Sequence, residues 1–302
     1  MSFVTMRTRC CVFVLLLGLI APALPQERFS PFVPSNEQNV ERMVKLANLR
    51  PGETVMDLGS GDGRIVFAAA RAQANIRGIG VEIDADLVTK SNAASKAQGL
   101  ADRVRFEHRN AFDADLRNAD VIFMWLFPEL MRLLRPKIMA EAKPGARIVA
   151  ATWDMGSWPV DATDDLPGAP AIRMWIVPAR VDGEWEWEVP IRSQNFTYTG
   201  LLEQRMQQAE GAIRMGVRRE LLTNVHLRGE ILQFTLRMTL PKLGYVSQTY
   251  VGRVLGDRIE GSVSIQYPKP GDDETMEEFR VPWNAKRSMR PRYFSPTGTN
   301  LL

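Results

Sequence analysis

Acidic side chains flank a glycine-rich turn near residue 60. Residues 57–63 read Asp-Leu-Gly-Ser-Gly-Asp-Gly and overlap the end of a short apolar run at residues 54–58. A turn of this kind, between a strand and a helix, lets a ligand approach backbone N–H groups at the start of the helix. The glycine spacing is G-x-G-x-G, and Arg64 stands where the third glycine of the pattern G-x-G-x-x-G would fall. The turn and its acids therefore predict a binding site for a nucleotide-type ligand.

Two nucleotide ligands compete for this turn. A dinucleotide presents a pyrophosphate, which the carboxylates of Asp57 and Asp62 would oppose. S-adenosylmethionine presents an ammonium and a sulfonium group, and the same carboxylates suit both. The turn therefore favours S-adenosylmethionine. A nicotinamide-dependent oxidoreductase is the alternative, and the glycine spacing disfavours it.

Residues that follow the next two predicted strands complete the pattern. Glu82 lies in an apolar stretch at residues 79–83, and a carboxylate there can accept hydrogen bonds from both ribose hydroxyls. Asn110 follows residues 104–108, where its amide can bond the adenine edge while Phe112 covers the adenine face. The predicted cofactor-binding residues are Asp57, Gly59, Ser60, Gly61, Asp62, Gly63, Glu82, Asn110, Ala111 and Phe112.

Strands and helices alternate between residues 35 and 151. A capping box predicts a first helix with Ser35 as its N-cap residue. Five short apolar strands then alternate with helices, at residues 54–58, 79–83, 104–108, 120–126 and 146–151. This order predicts an α/β fold with a doubly wound, Rossmann-like parallel sheet, which binds ligands at the carboxyl ends of its strands.

The pattern changes in the second half of the chain. Residues 172–177 and 184–189 flank Asp182-Gly183, which predicts a hairpin. From Phe196 onward, apolar and polar residues alternate, as in an antiparallel sheet with one buried face. We therefore expect an α/β domain at residues 24–193, an all-β domain at residues 194–285 and a loose tail at residues 286–302.

The first 23 residues have the layout of a secretory signal peptide. Arg7 and Arg9 precede an apolar run at residues 11–20, and Ala21-Pro22-Ala23 offers a small-x-small cleavage pattern. The run is shorter than the roughly 20 residues that cross a bilayer. We expect an exported, periplasmic protein, and the alternative is a membrane-associated protein held by this segment as an anchor.

Charge, cysteine and histidine counts exclude several functions. The formal net charge of +3 provides no basic field for nucleic acid. The two cysteines, Cys10 and Cys11, lie at the start of the apolar run, and His108 and His226 are the two histidines. We therefore expect no nucleic-acid partner, no metal site and no thiolate nucleophile.

Several stretches resemble a known family. They are residues 31–35 (PFVPS), 55–70 (VMDLGSGDGRIVFAAA), 103–106 (RVRF), 134–138 (LRPKI) and 144–149 (PGARIV). Through them, residues 31–158 resemble the class I S-adenosylmethionine-dependent methyltransferases. More narrowly, they resemble the lysine methyltransferases that modify the ATP synthase c subunit and the adenine nucleotide translocase, with their bacterial relatives. The resemblance implies methylation of a protein lysine by in-line transfer, with a membrane protein among the candidate substrates.

The resemblance also implies a substrate entrance, formed by Phe32, Val33, Pro34, Ser35, Trp125 and Phe127. Trp125 either offers its ring face to a cationic amine or packs in the core. The sequence provides no convincing general base. Asn110 replaces an acid that is usual in the group, and Ala150, Ala151 and Thr152 replace polar residues of relatives. The alternative function is therefore a non-catalytic scaffold that retains the methyltransferase fold.

Overall fold

A computed structural model describes residues 35–191, 194–269 and 272–290. The expected signal segment, Phe32, Val33 and Pro34 lie outside these residues, so export or anchoring stays a prediction. Within the described ranges, no helix combines the length and the apolar character that crossing a bilayer requires.

The first unit is a seven-stranded sheet with the strand order β3-β2-β1-β4-β5-β7-β6. Strands β1 to β5 are parallel, and β7 runs antiparallel to β5. The order reverses between β1 and β4, which confirms the predicted doubly wound α/β fold. The elements are α1 Glu37–Ala47, β1 Thr54–Leu58, α2 Arg64–Ala72, β2 Arg77–Glu82, α3 Ala85–Ala97, β3 Val104–His108, β4 Val121–Met124, α4 Pro128–Glu141, β5 Arg147–Ala151, β6 Ala162–Asp164 and β7 Ile172–Ile176, with a 3-10 turn at Ala111–Asp113.

Helices cover both faces of this sheet. Val55 and Phe123 pack in one apolar cluster with residues of α1, α2 and α3. Met56 and Ile122, the strand neighbours of those two residues, pack in a second cluster with α4. Because both faces are buried, β1 and β4 are apolar at consecutive positions instead of alternating, apart from Thr54 and Asp57 of β1.

Helix α1 begins one residue later than the capping box predicted. The N-cap residue is Asn36, whose Oδ1 accepts a hydrogen bond from the Asn39 backbone N–H at 2.8 Å, so Ser35 lies outside the helix. On the same helix, the Arg42 side chain is buried and forms an ion pair with Asp164 of β6 at 3.0 Å. This pair attaches α1 to the far edge of the sheet.

The predicted hairpin between residues 172 and 189 is wrong. Strand β7 pairs with β5 and β6, whereas β8 (Gly183–Ile191) belongs to a second sheet, which therefore begins before the expected boundary at residue 194. Burial explains the difference. Strand β8 alternates buried apolar residues with exposed or half-buried glutamates, while consecutive residues of β7, Met174 and Trp175, are both buried. Strand β7 therefore fits a sheet covered on both faces, and β8 fits a sheet with one wet face.

The second sheet is antiparallel and has nine strands, which confirms the predicted all-β domain. Strands β11 (Arg218–Leu221) and β12 (Thr223–Arg228) lie at opposite ends of the strand order, yet only Leu222 separates them in the chain. Strand β11 pairs with β10 (Gln208–Met215), and β12 pairs with β13 (Ile231–Leu240). Because β11 and β12 form one continuous segment, the two ends of the sheet come together in a nearly closed barrel. Its strands after β8 are β9 Gln194–Arg205, β10 Gln208–Met215, β11 Arg218–Leu221, β12 Thr223–Arg228, β13 Ile231–Leu240, β14 Gly244–Leu255, β15 Arg258–Lys269 and β16 Asp272–Met289.

The loose tail expected from residue 286 is wrong for residues 286–289. These residues continue β16 and pair with β8. The reason is Arg287, whose buried guanidinium lies 4.2 Å from the centre of the Trp185 ring and donates to Asp257 Oδ1 at 2.9 Å. A cation stacked on an aromatic ring and paired with a carboxylate holds the strand end in place.

The barrel packs directly on the first unit. Met206, in the β9–β10 turn, is buried in the same cluster as Trp158 and Trp175. Gln207 Nε2, in the same turn, donates to the Pro159 carbonyl at 2.6 Å. The barrel is thus attached to the first unit through a buried side chain and a side-chain hydrogen bond.

Candidate functional site

A cleft opens at the carboxyl ends of β1 to β4, beside the point where the strand order reverses. It encloses about 1040 Å³ of empty space, including its open mouth, and its described lining residues all fall between Ser35 and Leu134. Eight of the ten predicted cofactor-binding residues line it, namely Asp57, Gly59, Ser60, Asp62, Glu82, Asn110, Ala111 and Phe112. The other two, Gly61 and Gly63, shape the turn beneath it.

The glycine turn needs residues without a side chain. Gly59 and Gly63 have φ angles of 79° and 81°, in the left-handed region that favours glycine. A Cβ atom on Gly59 would stand 2.6 Å from Leu126 Cδ2, and one on Gly63 would stand 2.4 Å from Phe106 Cζ. The backbone conformation therefore favours glycine at both positions, and at Gly63 the close approach of the Phe106 ring adds a second reason.

Glu82 holds the turn in place. Its Oε2 accepts from the Gly61 N–H at 2.8 Å and its Oε1 accepts from the Asp84 N–H at 2.9 Å, in a largely buried setting. The sequence suggested only a ribose-binding role for Glu82. No local signal pointed to the bond with Gly61, which lies 21 residues earlier in the chain.

The buried side chain of Asp57 lines the cleft. Only 1% of the residue is exposed, and neither of its side-chain oxygens has a partner in the part of the chain that the structure describes. Burial, together with the charges of Glu82 and Asp62, raises the pKa of Asp57 to about 8. Ser60 Oγ is likewise buried and, among the described residues, unpaired. These orphaned polar atoms at the cleft fit a ligand that brings donors and positive charge.

The negative charge of Asp62 is compensated by Arg64, the first residue of α2. Its Oδ2 lies 2.5 Å from the Arg64 guanidinium, and this hydrogen bond lowers the pKa of Asp62. Arg64 also donates to the Ser35 backbone carbonyl, which attaches the start of the first helix to the turn. Of the two acids that flank the turn, Asp57 is therefore the one available to a cationic ligand. Sequence reasoning did not assign this role to Arg64.

The predicted adenine-binding residues follow β3 as expected. Asn110 Oδ1 accepts from the Phe112 N–H at 3.0 Å and caps the short 3-10 turn, and an amide oxygen retains a second lone pair. The Phe112 side chain is 36% exposed at the cleft. Both side chains lie where a base could contact them.

The predicted substrate entrance is only partly brought together. Ser35 and Trp125 line the cleft, whereas Phe127 is exposed outside its lining. Trp125 is half-buried and packs against the cluster beneath α1, while its contact with a cationic amine stays a prediction. The remaining three entrance residues precede the described part of the chain.

Fold and cleft together define an S-adenosylmethionine-dependent methyltransferase, and comparisons with known proteins agree. Residues 57–162 match the family model described as the ANTKMT methyltransferase domain. A protein-lysine N-methyltransferase of Saccharolobus islandicus is 34% identical over 128 residues, which are 42% of this chain and 80% of that protein. The lysine N-methyltransferase of the ATP synthase c subunit from Rattus norvegicus is 32% identical over 152 residues, 50% of this chain and 68% of that protein.

A solved structure is also similar. It is the crystal structure of an RNA methyltransferase from Salinibacter ruber in complex with S-adenosyl-L-homocysteine. The sequence identity is 40%, the match covers 49% of this chain and 96% of that chain, and the TM-score is 0.47. The chain belongs to the family of the ANTKMT methyltransferase domain. The expected enzyme class and the expected cofactor, S-adenosylmethionine, are confirmed.

We expect Glu82→Gln to weaken S-adenosylmethionine binding by about tenfold or more. Each hydrogen bond to a charged group contributes roughly 1.5–3 kcal/mol, and a glutamine would point one N–H toward a backbone N–H. Titration calorimetry with S-adenosylmethionine and S-adenosylhomocysteine measures the loss. Glu107→Gln is the matched control, because Glu107 lies on the adjacent strand β3 and outside the cleft lining. Equal affinities of the two variants would contradict the assignment.

Proposed function

We propose that this methyltransferase modifies the side-chain amine of a lysine in a protein substrate. The observation that carries the proposal is the 34% identity to a protein-lysine N-methyltransferase across 80% of that protein's length. A relative named for the lysine of the ATP synthase c subunit supports the same acceptor chemistry. The proposal covers residues 35–162, and no role in catalysis is assigned to the barrel.

S-adenosylmethionine supplies a methyl group activated by its attachment to a sulfonium. The chain's own residues would bind and orient. Asp57 and Ser60 offer buried oxygens, unpaired among the described residues, to the cofactor, and Glu82 holds the turn beneath it. Holding two reactants in line contributes roughly 7–11 kcal/mol toward the barrier, so no covalent nucleophile is required.

The acceptor amine must lose its proton before it can accept a methyl group. A free lysine has a pKa of about 10.4, and transfer into an apolar environment lowers this value. Trp125, Leu126 and Leu130 line the cleft and provide such an environment. Desolvation by these side chains would make the ammonium acidic enough to release its proton to bulk water as it enters the cleft, so that no dedicated general base is required.

We expect the full chain to add methyl groups to lysine when it is incubated with S-adenosylmethionine. The acceptors are the ATP synthase c subunit and the separate membrane and soluble fractions of a cell extract, with mass spectrometry as the readout. The control acceptor is an ATP synthase c subunit in which arginine replaces lysine. If both cofactor forms bind by calorimetry and yet no lysine gains mass, the chain is a scaffold instead of an enzyme. If methyl groups appear only on other atoms, the lysine assignment is wrong.

A further inference from the structure

Trp153 is unusually exposed for a tryptophan of this protein. It is 44% exposed, whereas Trp158, Trp175, Trp185, Trp187 and Trp283 are each 5% exposed or less and Trp125 is half-buried. It lies two residues beyond the end of β5, at the same edge of the sheet as the cleft. A large aromatic side chain in water at the rim of a binding site is a typical recognition feature.

The backbone before Trp153 is held in a strained conformation. Thr152 has a φ of 73°, which is a genuine outlier for a β-branched residue. Three hydrogen bonds hold it there. The Thr152 N–H donates to the Ala171 carbonyl at 2.8 Å, the Arg173 guanidinium donates to the Thr152 carbonyl at 2.8 Å, and the Trp153 N–H donates to the Ala151 carbonyl at 2.9 Å. The fold thus fixes the direction in which the chain leaves β5, and strain of this kind clusters at functional sites.

A second exposed aromatic residue, Phe127, follows the neighbouring strand β4 and is the N-cap residue of α4. Met124 of β4 pairs with Ala150 of β5, and Phe127 and Trp153 each lie three residues beyond that pair. Both rings are more than 40% exposed. The two residues before Phe127 are Trp125 and Leu126, which line the cleft. Phe127 therefore directly follows the apolar wall of the cleft in the chain, and Trp153 leaves the adjacent strand at the same edge of the sheet.

We propose that Trp153, with Phe127, is the specificity-determining residue that binds an apolar side chain next to the acceptor lysine. The inference rests on the proposed lysine methylation and names its substrate class, a protein segment with large apolar residues beside the lysine. Two independent observations carry it, namely the strained and tethered backbone at Thr152 and the positions of two exposed aromatic residues after neighbouring strands, at the cleft edge of the sheet.

Two synthetic peptides test the proposal with the full chain. Each has one central lysine, flanked by leucine and phenylalanine in the first and by serine and glycine in the second. We expect Trp153→Ala to lower kcat/KM for the apolar peptide by about tenfold, mainly through KM, as for a buried aromatic anchor. Its kcat/KM for the polar peptide and its Kd for S-adenosylhomocysteine should not change. Trp153→Phe should retain most of the activity, and Tyr245→Ala, an exposed aromatic residue of the barrel, is the control.

A second measurement does not depend on turnover. Acrylamide quenches exposed tryptophans, so the apolar peptide with S-adenosylhomocysteine should reduce quenching in the wild type and not in Trp153→Ala. Equal kcat/KM of wild type and Trp153→Ala for the apolar peptide would overturn the specificity role while lysine methylation stands. Protection from quenching without any methylated lysine would overturn the proposed reaction and keep the binding role. Neither protection nor methylation would overturn both.

Discussion

The ligand-free wild type is expected to lose stability as the pH rises from about 4 to about 8, and the Asp57→Asn variant is expected to lack this loss. Burial and two neighbouring acids raise the pKa of Asp57 to about 8 in the folded protein, against about 3.9 in an unfolded chain. Between these values the folded state holds a proton that the unfolded state has released. The free energy of unfolding therefore falls as the pH rises, by at most about 1.4 kcal/mol per pH unit.

The full window corresponds to an upper bound of about 6 kcal/mol on the change in the free energy of unfolding. Urea unfolding of the ligand-free protein between pH 5 and pH 8 measures it. An asparagine amide buried without a partner costs about 1–3 kcal/mol, so the loss of the pH slope is more diagnostic than the absolute stability. Asp113→Asn is the control, because Asp113 is an exposed acid after β3. A slope that persists in Asp57→Asn would assign the proton to another group.

The same substitution should weaken cofactor binding. A ligand with positive charge favours the ionised carboxylate, so binding at neutral pH should release a proton from Asp57 and become tighter as the pH rises toward 8. Calorimetry in two buffers of different ionisation enthalpy measures the released proton. Asp57→Asn should bind S-adenosylmethionine more weakly and release none. Unchanged affinity together with unchanged proton release would remove Asp57 from the cofactor site.

Gly63→Ala is expected to reduce stability by about 2–5 kcal/mol and to weaken cofactor binding as well. A left-handed backbone costs a residue with a side chain roughly 1–2 kcal/mol, and overpacking costs a further 1–3 kcal/mol. The new methyl group would stand 2.4 Å from Phe106 Cζ and 3.0 Å from Phe67 Cε2. Because Gly63 is the N-cap residue of α2, relief of this clash moves the turn that contacts the cofactor.

Gly52→Ala provides the control for backbone strain alone. Its φ is 84°, close to the 81° of Gly63, but its Cβ would meet nothing within 4 Å. It should cost about 1–2 kcal/mol and leave S-adenosylhomocysteine affinity unchanged. Urea unfolding and titration calorimetry of both variants give the comparison. Equal losses for the two variants would show that the contact with Phe106 carries no energy.

Local sequence patterns determined the first sheet and the glycine turn. The alternation of short apolar strands with helices predicted five parallel strands, and β1 and β3 have the expected bounds. Residues after β1, β2 and β3 converge on one cleft because the carboxyl ends of parallel strands meet at one edge of a sheet. The motif at residues 57–63 carried the cofactor prediction, because its glycines and acids are consecutive in the chain.

Tertiary structure decided which elements pair and which charges are compensated. Alternation tells which face of a strand is buried but not which strand lies beside it, so the sequence wrongly joined β7 to β8. Likewise, the chemistry of an acid depends on neighbours that are distant in the chain. Glu82 accepts from Gly61, Arg64 compensates Asp62, and Asp57 remains buried with a raised pKa and no partner among the described residues. Residue types determined the class of ligand, and only the folded chain decided which carboxylate receives it, because burial and pairing are properties of the assembled cleft.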